Sequence, residues 1–161
     1  MTNSGDYHFR LETERTVFDT CAAMMASSPP WTTLGMNLEQ CRMAFEGENK
    51  EVYVLTYQEQ VAGFAVLQLG GSFKGYIQIL FVADAFRGKQ LAYRLLQHCE
   101  ERILRISPNL FICVSSFNTV AQAIYKKYGF EQVGVLHDFL RKGFDELLLR
   151  KTIAPILEYK P

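Results

Sequence analysis

The stretch Tyr76–Leu96, YIQILFVADAFRGKQLAYRLL, decides how this chain is read. It opens with a near-continuous apolar run, Ile77 to Ala83, the composition of a strand buried on both faces. A short turn follows with Asp84, Arg87, Gly88 and Lys89, and a helical pattern starts at Leu91. Strand, basic glycine-containing turn and helix N-terminus together present backbone N–H groups and a positive dipole end to a phosphate. Arg87 and Lys89 add positive charge at the same place. Strand-to-helix turns of this kind also occur without a ligand, so the motif alone leaves both readings open.

Working outward, Leu91, Leu95, Cys99 and Ile103 recur at helical spacing, and Ser107-Pro108-Asn109 ends that helix. Leu110 to Val114 is a short apolar strand, expected parallel to Tyr76–Val82 through a right-handed crossover. Asn118 caps a helix through Val120, Ala121, Ile124 and Tyr128, and Gly129 suits the left-handed position after its last turn. Upstream, Glu51–Tyr57 and Val61–Leu69 read as a hairpin around Gln58-Glu59-Gln60, with Gly63 marking a bulge or a close backbone approach. Tyr7–Leu11 is a first strand, and Thr13 or Thr16 is expected to cap a helix toward Met25. Pro29-Pro30 stops that helix, and Asn37 caps another, ended by Gly47. Glu131–Leu136 and Glu146–Thr152 close the chain as strands around HDFLRKGFD. The order β-α-α-β-β-β-α-β-α-β-β predicts an α/β fold whose mostly antiparallel sheet contains one parallel crossover.

At 161 residues and 48% hydrophobic composition, the chain is expected to form one domain over 1–161 with a full core. A formal net charge of zero argues against a general electrostatic grip on nucleic acid or an anionic membrane. Cys21, Cys41, Cys99 and Cys113 form no CxxC pair and have no histidine at metal-ligand spacing, so no metal site is expected. The leading residues have no apolar core of signal-peptide length, and no run approaches the roughly 18 apolar residues of a membrane span. A cytoplasmic setting is the expectation.

Two local motifs within this order resemble the GNAT superfamily of acetyl-CoA-dependent N-acetyltransferases. LFVADAFRGKQLAYRLL is similar to the family's pyrophosphate-binding segment, R/Q-x-x-G-x-G/A, with Arg87, Gln90 and Ala92 at its defined positions. Glutamine replaces the central glycine. SSFNTVAQAIYKKYGF is similar to the signature N-x-x-A-x-x-x-Y-x-x-x-G-F, with Asn118, Ala121, Tyr125, Gly129 and Phe130 in register. FLRKGFDELLLRK looks like the family's closing hairpin, with G-x-D-E before a strand. The resemblance implies a GNAT fold: a splayed parallel strand pair in a mixed sheet flanked by helices. It implies acetyl-CoA as co-substrate, no metal, and a small-molecule or peptide amine as acceptor, and it leaves a homodimer open.

The pantetheine arm is then expected along Phe81, Val82 and Ala83, and the pyrophosphate on Arg87, Gly88, Lys89, Gln90, Leu91 and Ala92. Asn118 has a cap to make and, by resemblance, a bond to CoA. Tyr125 is the expected general acid toward the leaving thiolate; its alternative role is packing on an amphipathic helix. The two splayed strands offer Tyr76, Gln78 and Cys113 to the acceptor but no Glu or Asp in their bodies. His137, before the closing hairpin, is the candidate base. Trp31 and Leu34, between the first two helices, are expected in the acceptor wall. Without a carboxylate base, low-pKa amines are the expected acceptors. A CoA-binding sensor or regulatory module without catalysis is the alternative, favoured by Gln90 and by the missing carboxylate.

Overall fold

The central strand, β4 (Tyr76–Val82), has three strands on each side. In the computed structural model, which describes residues 6–161, the sheet order is β1-β2-β3-β4-β5-β7-β6. The strands are β1 (Tyr7–Glu12), β2 (Lys50–Tyr57), β3 (Gln60–Gln68), β5 (Asn109–Ser115), β6 (Glu131–Leu136) and β7 (Glu146–Thr152). The helices are α1 (Arg15–Ala26), α2 (Leu38–Arg42), α3 (Leu91–Ile103) and α4 (Thr119–Tyr128). This is the expected order of elements. The reading of Met1–Gly5 as free of an apolar leader lies outside the described residues.

Every neighbouring pair is antiparallel except β4 and β5. Those two pair only at Tyr76–Phe111 and Ile77–Ile112 and then part. The cause lies in β4. Opposite β3, Leu67 faces Ile77 and the next residue, Val66, faces Ile79, so Gln78 is an extra residue. A bulge of this kind bends its strand and deepens the local twist. The packing records it. Ile77 lies in the core under α3 with Leu95, Cys99 and Ile103, whereas Ile79 and Phe81 join the opposite core with Met25, Trp31 and Phe64. In an unbroken strand all three would share one face.

The bulge also decides which peptide groups the split exposes. The N–H of Ala83 donates to the carbonyl of Ala62 on β3. By strand alternation Phe81 also turns to β3, and the peptide groups of Leu80 and Val82 face the gap. Of the expected set Phe81–Ala83, Val82 turns its peptide group to the gap, and so does Leu80, which lies outside the set.

Gly63 meets both of its expectations. The register shifts between Leu55 and Thr56, leaving Ala62 as the extra residue beside it. A Cβ on Gly63 would stand 2.6 Å from the carbonyl oxygen of Phe81. Neither Thr13 nor Thr16 caps α1; Glu14 takes that position without a side-chain bond. The carboxylate of Glu12 accepts instead from the N–H groups of Thr13 and Glu14. Asn37 caps α2 as expected, in a reciprocal box with Gln40.

Candidate active site

The parting of β4 from β5 opens a groove of about 580 Å³ that runs to the N-terminus of α3. Gly88 (φ 74°) and Gln90 (φ 59°, ψ 23°) turn the backbone into the helix through left-handed conformations. The first helical bond runs from the Arg94 N–H to the Gln90 carbonyl at 3.3 Å. The N–H groups of Leu91, Ala92 and Tyr93 therefore precede any intrahelical acceptor, and the Gln90 side chain caps none of them. Free donors at the positive end of a helix are what a pyrophosphate needs, and the unpaired edge of β4 is what an amide-bearing arm needs. On these observations the groove fits CoA.

Of the expected cofactor residues, Phe81, Val82, Arg87, Gly88, Gln90, Leu91, Ala92, Asn118 and Tyr125 line this groove. Ala83 and Lys89 do not. Ala83 is bonded to β3, and Lys89 lies over the Phe86 ring, 5.5 Å from its centroid. Arg87 is held by Asp84 at 3.1 Å, both side chains being exposed. It must exchange that ion pair to reach a phosphate.

A second cavity, about 430 Å³, lies on the other side of Tyr125. Trp31, Leu34, Tyr76, Gln78 and Cys113 all line it. The two cavities share Pro30, Trp31, Leu80, Asn118 and Tyr125. Asn118 sits there because its Oδ1 caps α4, accepting from the Ala121 N–H at 3.2 Å. Tyr125 is buried with its ring edge-on to Phe130. Burial, helped by the neighbouring Cys99, pushes its phenol well above the ordinary range, so it keeps its proton at neutral pH.

His137 is not brought to this junction. Its side chain is 77% exposed, bonded to Asp145 at 3.0 Å, and lines neither cavity. The expectation that no carboxylate is available is also corrected. Glu146, the first residue of β7, is 3% exposed and lines the second cavity. Its register partner on β5 is Ser115, whose hydroxyl donates to Glu146 Oε1 at 2.6 Å. Burial raises the Glu146 carboxyl above its usual value of 4.5, partly offset by that hydrogen bond. Burial likewise raises Tyr76 and Cys113, which lie beside one another and within the field of Glu146. A carboxyl raised by burial and the Tyr125 phenol, which keeps its proton, line the same cavity, and groups pushed apart in this way can divide the roles of base and acid.

The sequence matches the Acetyltransferase (GNAT) domain family over residues 31–152. The chain belongs to the GNAT acetyltransferase family. No curated protein matches it significantly. Solved structures carry the same fold at low identity. The ribosomal-protein-S18-alanine N-acetyltransferase of Escherichia coli superposes with a TM-score of 0.72 at 18% identity, covering 96% of this chain and 99% of its own. NAA60 of Arabidopsis thaliana, bound to a bisubstrate analogue, gives 0.71 at 16%, covering 91% and 97%. The spermidine N-acetyltransferase of Vibrio cholerae, bound to CoA and spermine, gives 0.69 at 14%, covering 92% and 96%.

This GNAT chain departs from the family's glycine at Gln90, and the geometry says what that costs. A non-glycine residue in the left-handed region is strained by roughly 1–2 kcal/mol. Gln90→Gly should raise the melting temperature by a few degrees, about 2–4 °C per kcal/mol at this size. It should keep acetyl-CoA affinity, because only the N–H is required there. A tenfold weaker Kd, about 1.4 kcal/mol, would make the glutamine amide a ligand. Differential scanning fluorimetry and calorimetric titration read both.

The second cavity has a clasp. Arg141, in the β6–β7 hairpin, donates through Nε to the Leu34 carbonyl at 2.9 Å and through Nη2 to that of Gly35 at 3.1 Å. It ties the hairpin to the loop between α1 and α2, the two outer walls of the cavity. Arg141→Ala should raise the KM for the amine roughly tenfold while leaving the KM for acetyl-CoA unchanged. An equal rise in both would show a general loss of structure.

Proposed function

We propose that this chain transfers an acetyl group from acetyl-CoA to a primary amine by direct attack. The observation that carries the reading is the junction at Tyr125, where a groove suited to CoA meets a second cavity containing a buried carboxylate.

The amine enters the second cavity as its ammonium form and loses a proton to Glu146, held in place by the Ser115 hydroxyl. The neutral nitrogen attacks the thioester carbonyl, the C–N bond forms and the C–S bond breaks. CoA leaves as a thiolate and takes the phenolic proton of Tyr125, whose high pKa has kept it protonated. The attacking nitrogen gives its remaining extra proton to solvent, so the products are a neutral N-acetylamine and free CoA; Glu146 then releases its proton to solvent and the Tyr125 phenolate takes one back. Cys113 is a poor alternative nucleophile: burial raises its thiol, so little thiolate is present.

The two features that favoured a non-catalytic CoA-binding module lose their force. Gln90 adopts the left-handed backbone conformation that suits a glycine, and the Glu146 carboxyl lines the second cavity from β7, which supports the catalytic reading. Release of free thiol from acetyl-CoA, followed with and without a panel of amines, tests the proposal. Release should require an amine. Release in buffer alone would indicate a thioesterase, and binding without release a regulatory module.

A further inference from the structure

The second cavity is mostly apolar, and its polar side chains, Gln40, Gln78, Ser115, Asn118 and Glu146, are neutral except for the one carboxyl. Met25, Trp31, Leu34, Met36, Phe139 and Leu140 form its walls, from the α1–α2 region on one side and the β6–β7 hairpin on the other. Three apolar residues at its rim, Met43, Phe139 and Leu140, are 61%, 53% and 52% exposed. Large apolar side chains left in water around a cavity mouth mark a surface that an apolar partner group covers.

The charges are as informative. Among the described residues lining the cavity, Glu146 is the single carboxylate, and no Lys, Arg or His side chain lines it. The hairpin's Arg141 has its guanidinium committed to the Leu34 and Gly35 carbonyls. A substrate carboxylate or phosphate brought here would be desolvated with no cation to meet it and with Glu146 opposing it. A second ammonium would find no second acid.

Resting on the acetyltransferase reading above, we infer that the acceptor is a monoamine with an apolar group next to its primary amine and no charged group within reach of the cavity. An α-amine of a peptide beginning with a large apolar residue and a branched alkylamine share that chemistry. The methionine-containing wall adapts to several shapes, so leucine-, methionine- and phenylalanine-like groups are all accommodated.

The test uses initial rates at one pH with acceptors whose reacting amines match. Leu-Ala-amide, Gly-Ala-amide and Glu-Ala-amide share an α-amine and differ in the first side chain. Isopentylamine and spermidine form a second pair. The expected kcat/KM for Leu-Ala-amide exceeds that for Gly-Ala-amide at least tenfold and that for Glu-Ala-amide on the order of a hundredfold. Isopentylamine is expected to exceed spermidine. Once each rate is divided by the fraction of amine that is neutral, turnover of Leu-Ala-amide far above isopentylamine assigns a peptide source, and parity a small amine; both support the inference. Preference for Glu-Ala-amide over Leu-Ala-amide, or for spermidine over isopentylamine, overturns it while leaving acetyl transfer intact. If no amine is acetylated, the acetyltransferase reading itself fails. Calorimetric binding of the two peptides to the CoA-loaded protein then decides the inference: tighter Leu-Ala-amide supports it and equal affinities overturn it. Met43→Lys, at an exposed rim position that does not endanger folding, should shrink the Leu-to-Glu preference at least threefold. An unchanged ratio would remove this wall from the acceptor site.

Discussion

Glu146→Gln should lower kcat by about 10²–10⁴, the usual contribution of a placed acid or base. The substitution keeps volume and keeps an oxygen to accept from Ser115, so only the proton acceptor is removed. The same change should stabilise the fold at neutral pH. The Glu146 carboxyl is raised above 4.5 by burial, so between 4.5 and its raised value the folded protein binds more protons than the unfolded. Stability therefore falls as pH rises through that window, and the ionised, buried carboxylate is a net cost above it. Glutamine carries no such cost. The expected pattern is a variant that melts higher at pH 7 and has lost the acidic limb of the pH–rate profile. A variant of unchanged rate would return the search for the base to the exposed His137. A gain in stability with a loss of activity is the pattern expected when a buried catalytic charge is neutralised.

Tyr125→Phe should lower kcat by roughly a hundredfold or more while leaving the affinity for acetyl-CoA within a few-fold. The ring that packs edge-on to Phe130 is retained, and only the phenolic proton is lost. The loss should shrink with acyl donors whose leaving thiol is more acidic, since those need less help to depart. A packing role predicts equal loss for all donors. Steady-state rates with acetyl-CoA and with an acetyl thioester of a low-pKa thiol make the comparison.

Much of the groove was legible because it is built from two contiguous segments. The Tyr76–Leu96 stretch supplies strand edge, turn and helix N-terminus, and Asn118–Phe130 supplies the helix cap and Tyr125, each from one short run of chain. The bulge at Gln78 was not legible. The run Ile77–Ala83 is apolar throughout, and a continuous apolar strand has no alternation for an inserted residue to break. Its effect was to move the gap-facing peptides to Leu80 and Val82.

The acceptor cavity was legible only in part, because it gathers residues from five separated regions of chain. Trp31 and Leu34 could be placed by resemblance, and Tyr76, Gln78 and Cys113 by their strands. Glu146 could not be placed by inspecting β4 and β5, since it reaches the cavity through the β5–β7 ladder, opposite Ser115. The sequence order makes β7 the last strand, yet the sheet inserts it between β5 and β6. The local signs were that Glu146 ends the G-x-D-E of the closing hairpin and opens a strand, ELLLRKT, whose next three residues are leucines. With that carboxylate present, the expected preference for low-pKa amines loses its basis. Apolarity around the amine takes its place as the selective feature.

The most direct test of the account is a single-turnover reaction with acetyl-CoA and an apolar amine, in which the mass of every product and of the intact protein is measured. The account predicts one N-acetylated amine for each free CoA formed, with the protein mass unchanged at every time point. An acetylated protein intermediate that the amine then discharges, or free acetate in place of the acetylated amine, would contradict it.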